Sequence, residues 1–198
     1  LIGCAKTNDL LDSSESALST RGACYDPGIN SFGSDFKTYL NNTNNSDLTG
    51  FGGSVSKTGD CAITKQPVIF IHGNADDVNG ASYGATYGGW KTSRDYFISK
   101  GYKPTELYAV NWGIPGAANA SYNYHSIYNL SKVYRFILAV KNYTGASKVD
   151  VITHSLGVTL ARRAIKGGSV SDYANGSLNL GSSLNSYIDT FVGIAGAN

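Results

Sequence analysis

Two regimes of hydrophobic patterning divide the chain. Through about residue 62 apolar positions are sparse, and the segment includes the run Asn41-Asn-Thr-Asn-Asn-Ser46 and a Gly-rich stretch over residues 50–59. This part reads as a polar N-terminal extension, residues 6–62, wrapped over a domain rather than forming a second one. From residue 63 onward short apolar blocks alternate with helical periodicity. Pro67-Val-Ile-Phe-Ile71 is a continuous apolar run, the mark of a strand buried on both faces. A helix over residues 89–100 ends at Gly101, and Leu107-Tyr-Ala-Val-Asn-Trp112 is the next strand. Residues 127–142 set Leu130, Val133, Tyr134 and Ile137 at helical spacing, with Ser126 as N-cap and Gly145 as the stop. Residues 149–152 predict a third strand and residues 156–166 a helix with Arg162, Arg163 and Lys166 in its last turn, where cations favour the macrodipole. A fourth strand covers residues 188–194. This alternation predicts an α/β domain over residues 63–198 built on a mostly parallel sheet with helices on both faces.

Composition narrows the picture. Charged residues are 15% of the chain, below the usual quarter, and the net charge is +2 with no basic stripe, which argues against a nucleic-acid partner. No apolar run approaches the roughly 18 residues of a membrane span, so no stable membrane insertion is expected. Residues 1–5, Leu-Ile-Gly-Cys-Ala, read as the remnant of a signal peptide, an apolar tail followed by small residues. Of three cysteines, Cys4 would leave with the signal, and Cys24 and Cys61 would remain as a disulfide pair. Six Asn-x-Ser/Thr sequons, at Asn41, Asn44, Asn119, Asn129, Asn142 and Asn175, are candidate glycosylation sites and agree with a secreted, extracellular protein.

The chemistry concentrates at Val151-Ile-Thr-His-Ser-Leu-Gly157. A serine on the sharp turn between a buried strand and a helix projects its hydroxyl above the carboxyl edge of the sheet, and Ser155 stands there as the candidate nucleophile. Residues two before and two after such a serine must be small. Gly157 complies, whereas Thr153 stands where the usual motif has glycine. Two backbone N–H donors are needed for a developing oxyanion. Leu156, next after the nucleophile, is one candidate, and Asn74, in the turn after the first strand, is the other. His72 and His154 read as structural residues.

The runs Pro67-Val-Ile-Phe-Ile-His-Gly-Asn74, Leu107-Tyr-Ala-Val-Asn-Trp-Gly113, Val149-Asp-Val-Ile-Thr-His-Ser-Leu-Gly-Val-Thr-Leu-Ala-Arg162 and Asp189-Thr-Phe-Val-Gly-Ile-Ala-Gly-Ala-Asn198 resemble the class 2 lipase family, in particular its secreted nematode branch. The resemblance covers residues 62–198. It implies an α/β-hydrolase fold, ester hydrolysis through a Ser-Asp-His triad, and lipid or acyl-ester substrates, with no cofactor or metal.

The triad is incomplete in this sequence. In this fold the chain order is Ser, then acid, then His, and no histidine follows Ser155. Asp150 and Asp189 lie at strand starts, about 20 Å from the edge where Ser155 works, at 3.3 Å per residue. Asp172 is in a loop. Asp76, Asp77 and His125 follow strands on the correct edge, but chain order disfavours His125 as the base. The expectation is that acid and base lie downstream of Asn198 and that the sheet is truncated after the strand following the nucleophile helix. The leading reading is a secreted lipase or carboxylesterase, the isolated chain being inactive. The alternatives are a catalytically inactive secreted binding protein on the same fold, and a polyester depolymerase or acyltransferase. Acyl chain length, lid and oligomeric state are not readable from these residues.

Overall fold

The computed structural model describes residues 24–81 and 89–197; residues 1–5, with Cys4, lie outside them, as does Asn198. Its centre is a five-stranded sheet in the order β1-β3-β2-β4-β7. The strands are β1 (Gly50–Gly52), β2 (Val68–Ile71), β3 (Leu107–Val110), β4 (Val149–His154) and β7 (Ile188–Ile194). β3, β2, β4 and β7 run parallel, and β1 is antiparallel on β3. The helices are α1 (Ser34–Asn42), α2 (Lys91–Ser99), α3 (Ile127–Thr144) and α4 (Leu156–Lys166). The mostly parallel α/β class expected from the strand–helix alternation is therefore the class observed, and it is consistent with the α/β-hydrolase-type fold that the resemblance implies.

Side-chain alternation along β2 explains the layering. Ile69 and Ile71 point into the larger core with α1, α3 and α4, while Val68 and Phe70 point into the smaller one with Trp90, Phe97 and Ile98 around α2. All four residues of β2 and of β3 are buried, as the continuous apolar runs require. Ser126 caps α3 by accepting the Asn129 N–H, and Gly145 ends it at φ 70°.

The N-terminal segment contributes more than a wrapping. Phe32, Phe36 and Leu40 recur at intervals of four, and α1 drives this stripe into the larger core, where Phe36 packs edge-on to Tyr108 with centroids 5.0 Å apart. β1 adds an edge strand, and Cys24 and Cys61 are joined by a disulfide with Cα atoms 4.7 Å apart. A β-hairpin, β5 (Ser169–Asp172) with β6 (Gly176–Asn179), also lies outside what periodicity signalled, because its strands are short, polar and largely exposed. Its turn reaches the start of α3, where Asp172 accepts the Ile127 N–H at 2.9 Å. β7 has one neighbour among the described strands and leaves Val192 and Ile194 well exposed.

Candidate functional site

Ser155 occupies the single residue between β4 and α4, with φ 52° and ψ −127°. For a residue with a side chain this region costs on the order of 1–3 kcal/mol, so the surroundings must impose it. They do so on three sides. The Ser155 N–H donates to Ile194 O at 2.9 Å, and the Ser155 carbonyl accepts from Val158 at 3.0 Å and Ala197 at 3.3 Å. Parallel strand order puts this turn at the carboxyl edge, beside the loop that follows β2.

Glycines set the close approaches. A Cβ on Gly157 would lie 2.2 Å from His72 O, so only glycine lets the first turn of α4 rest on the end of β2. A Cβ on Gly73 would lie 2.9 Å from His154 Nδ1 and 3.0 Å from Ser155 Cβ. The loop of residues 73–75 therefore lies directly against the serine turn. Thr153, in the position of the usual glycine, is fully buried, and its hydroxyl donates to Val192 O at 3.0 Å. The hydroxyl thus finds a partner on β7, and the larger residue is accommodated without an unpaired polar atom.

His72 is locked. Its Nε2 accepts the Trp112 N–H at 3.1 Å, which requires the proton on Nδ1, and Nδ1–H donates to Gly73 O at 2.8 Å. The rings of His72 and Trp112 stack with centroids 5.2 Å apart, and Trp112 Nε1 donates to His72 O. Burial holds the imidazole below its ordinary range, against the backbone bond to Gly73 that favours the charged form. His72 orients the Gly73 carbonyl and so the peptide leading to Asn74. Trp112 is the partner that sequence reasoning missed, although it ends a recognised strand run. The loop is braced further by Asn74 Nδ2 donating to Ala120 O at 3.0 Å and by Gly116 N–H donating to Ala75 O at 2.7 Å. Leu156, as first residue of α4, has no intrahelical acceptor for its N–H.

The remaining ionisable candidates are spent elsewhere. His125 Nε2 is 3.0 Å from Thr159 Oγ1, in a 440 Å³ cavity lined also by Leu130 and Arg163. Burial lowers its pKa. Asp150 accepts from Gln66 and from the Thr190 N–H, and Asp189 pairs with Lys148, both at the starts of their strands. Asp172 caps α3, and the Ile127 N–H bond, with those from Asn175, holds its carboxyl below the usual range. Asp76 accepts the Asp77 and Gly89 N–H groups, and Asp77 accepts those of Asn79 and Ala81. Among the described residues no hydrogen bond joins the Ser155 hydroxyl to a histidine. Beside the serine turn a cavity of about 240 Å³ is lined by His72, Asp76, Gly89, Trp90, Ser93, His154 and Ile194. No helix of the described residues is long and apolar enough to cross a membrane.

A strained serine thus stands between a buried strand and a helix, with a His-Gly loop braced against it. Residues 65–198 match the family model for lipase (class 2), and the chain belongs to that family of lipase-type hydrolases.

Proposed function

We propose that this protein is a secreted carboxylic ester hydrolase, a lipase or carboxylesterase, working through an acyl-enzyme on Ser155. The observation that carries the reading is the Ser155 backbone at φ 52°, held between β4 and α4 under the loop of residues 73–75. Ser155 Oγ attacks the ester carbonyl carbon while its proton passes to a base. The carbonyl oxygen becomes an oxyanion and is received by the N–H groups of Asn74 and Leu156. The alcohol leaves with the proton, and water then releases the acid from the serine. Each oxyanion donor is worth about 3–4 kcal/mol of barrier.

Base and acid are assigned to residues downstream of Asn198. Two observations support this. His72 is committed to Trp112 and Gly73, His125 to Thr159, and Asp150 and Asp189 to partners at the opposite edge. β7 has one neighbour among the described strands, so its outer backbone groups can pair with a further strand, and the exposed Val192 and Ile194 leave one of its faces open. The Cys24–Cys61 disulfide agrees with an oxidising, extracellular setting. Exposed Asn41, Asn44 and Asn142 are the sequons best placed to carry glycans.

Hydrolysis of a short-chain nitrophenyl ester tests the proposal. The protein extended beyond Asn198 turns over, Ser155→Ala abolishes turnover, and the 198-residue chain is nearly inert. Brisk turnover by the 198-residue chain that disappears in His125→Ala would overturn the assignment of the base.

A further inference from the structure

A cavity of 440 Å³ lies between α3, α4 and the hairpin of β5 and β6, on the opposite side of the sheet from the smaller cavity beside Trp90 and Ser93. Thr159 on α4, one turn beyond Ser155, forms a wall with His125, and Arg163 follows one turn later. Ser169 and Ser171 come from β5, while Leu130 and Val170 add apolar surface. The volume falls within the roughly 300–1,000 Å³ of small-molecule sites.

Arg163 decides what such a cavity can hold. Two of its N–H groups cap the end of α4, donating to Gly167 O at 2.8 Å and Ser169 O at 2.6 Å. These bonds orient the guanidinium but leave its charge without a counter-ion and its other N–H groups available. Arginine is treated differently elsewhere in the fold. Arg94 meets the carboxylate of Asp26, and Arg135 meets that of Asp47. Arg163, also partly buried, enters none of the ion pairs among the described residues. Neither flanking helix can supply an acid. α3 and α4 carry Lys132, Arg135, Lys141, Arg162, Arg163 and Lys166 but no Asp or Glu. Asp172, at the far end of β5, is held by the N–H groups of Ile127 and Asn175 and by the Asn175 amide. A partly buried guanidinium with only carbonyl partners favours an anion.

We propose that this cavity binds an aliphatic carboxylate, with its head on Arg163 and the β5 serines and its chain against Leu130 and Val170. The planar fork of a guanidinium matches a carboxylate, and the apolar lining favours an anion that carries a chain over a bare inorganic one. The site rests on Arg163 and its surroundings. The ester-hydrolase reading enters only in making the ligand the class of acid that Ser155 would release.

Isothermal titration calorimetry of octanoate into the protein extended beyond Asn198 tests the site. Octanoate binds, and added salt weakens it because the contact is ionic. Octanol, with the chain but no charge, and inorganic phosphate, with charge but no chain, bind roughly tenfold more weakly. Arg163→Gln weakens octanoate by a similar factor. Because Arg163 also caps α4, Ser171→Asp provides a second variant at an exposed position on β5; it sets a carboxylate in the cavity and again weakens octanoate roughly tenfold. Equal binding of octanol or of phosphate would overturn the proposal, as would unchanged octanoate affinity in Ser171→Asp or in a folded Arg163→Gln. Binding that both variants spare but a phosphonate on Ser155 blocks would place the acid at the serine and overturn it too. An inert Ser155 in a protein that still binds octanoate through Arg163 would refute the hydrolase reading and leave the carboxylate site standing.

Discussion

Gly157→Ala is the smallest change that separates the two candidate oxyanion donors. Its Cβ would sit 2.2 Å from His72 O, 3.0 Å from Ile71 O and 3.2 Å from His72 C. All three are backbone atoms, so no side chain can rotate away. The first distance is 1.2 Å short of the 3.4 Å where ordinary contact begins, and α4 and the end of β2 must part by about that much. Leu156 rides on one side of the gap and Asn74 on the other, so the two N–H groups can no longer converge on one oxygen. A displacement near 1 Å costs about 10²-fold in rate, the same order as losing one oxyanion donor. The overpacking itself costs about 1–3 kcal/mol of stability. The control is Gly145→Ala, where φ is 70° but nothing lies within 4 Å of the added Cβ. It carries only the left-handed backbone penalty, about 1–2 kcal/mol, and no loss of rate. Urea denaturation and ester turnover, measured on both variants in the protein extended beyond Asn198, give the comparison. Equal rates for the two variants at matched stability would refute the claim that Gly157 sets the donor geometry.

Three further outcomes follow from the same geometry. Thr153→Val removes the buried hydroxyl bond to Val192 O and lowers stability by about 1–2 kcal/mol in denaturant; an unchanged midpoint would show that the bond does not hold β7. Burial keeps His72 neutral and lowers its pKa, so its contribution is complete above the ordinary value of 6.5 and is lost as pH falls below it, because the unfolded chain then binds a proton that the folded imidazole, with Nε2 accepting from Trp112, does not take up. His125 is held low in the same direction, so the check is that His72→Gln flattens the fall in denaturation midpoint between pH values of about 7 and 5. Replacing Cys24 and Cys61 together by alanine, across a separation of 37 residues, lowers stability by about 3–4 kcal/mol; a loss under about 1 would mean the N-terminal segment is held by α1 and β1 alone.

The parallel core was legible because its strands are buried on both faces and its helices carry long apolar stripes. The strand and helix around Ser155 could be placed for the same reason, and β4 ran only two residues past the expected end, into Thr153 and His154. What periodicity could not reveal was held by few residues each. β1 is three residues long, and two of those are glycine. The stripe of Phe32, Phe36 and Leu40 is a helical signal, but the polar residues between them masked it. The hairpin of β5 and β6 carries mostly exposed side chains and so lacks the alternation that marks a half-buried strand. At the site, the small residue at Gly157 was readable from the demands of a strained turn. The clamp of Trp112 on His72 was not, because it joins residues 40 apart, partly through a backbone N–H that any residue would supply, and no periodicity marks such a pair. Likewise Thr153 departs from the expected glycine, and only the position of Val192 O explains how its hydroxyl is satisfied.

The account turns on Ser155 being an activated nucleophile. Treating the protein extended beyond Asn198 with a serine-directed phosphonate and mapping the adduct by peptide mass spectrometry tests this directly. The prediction is one adduct, on Ser155, absent from Ser155→Ala and strongly reduced in the 198-residue chain. An adduct on another residue, or no adduct in a folded extended protein, would contradict it.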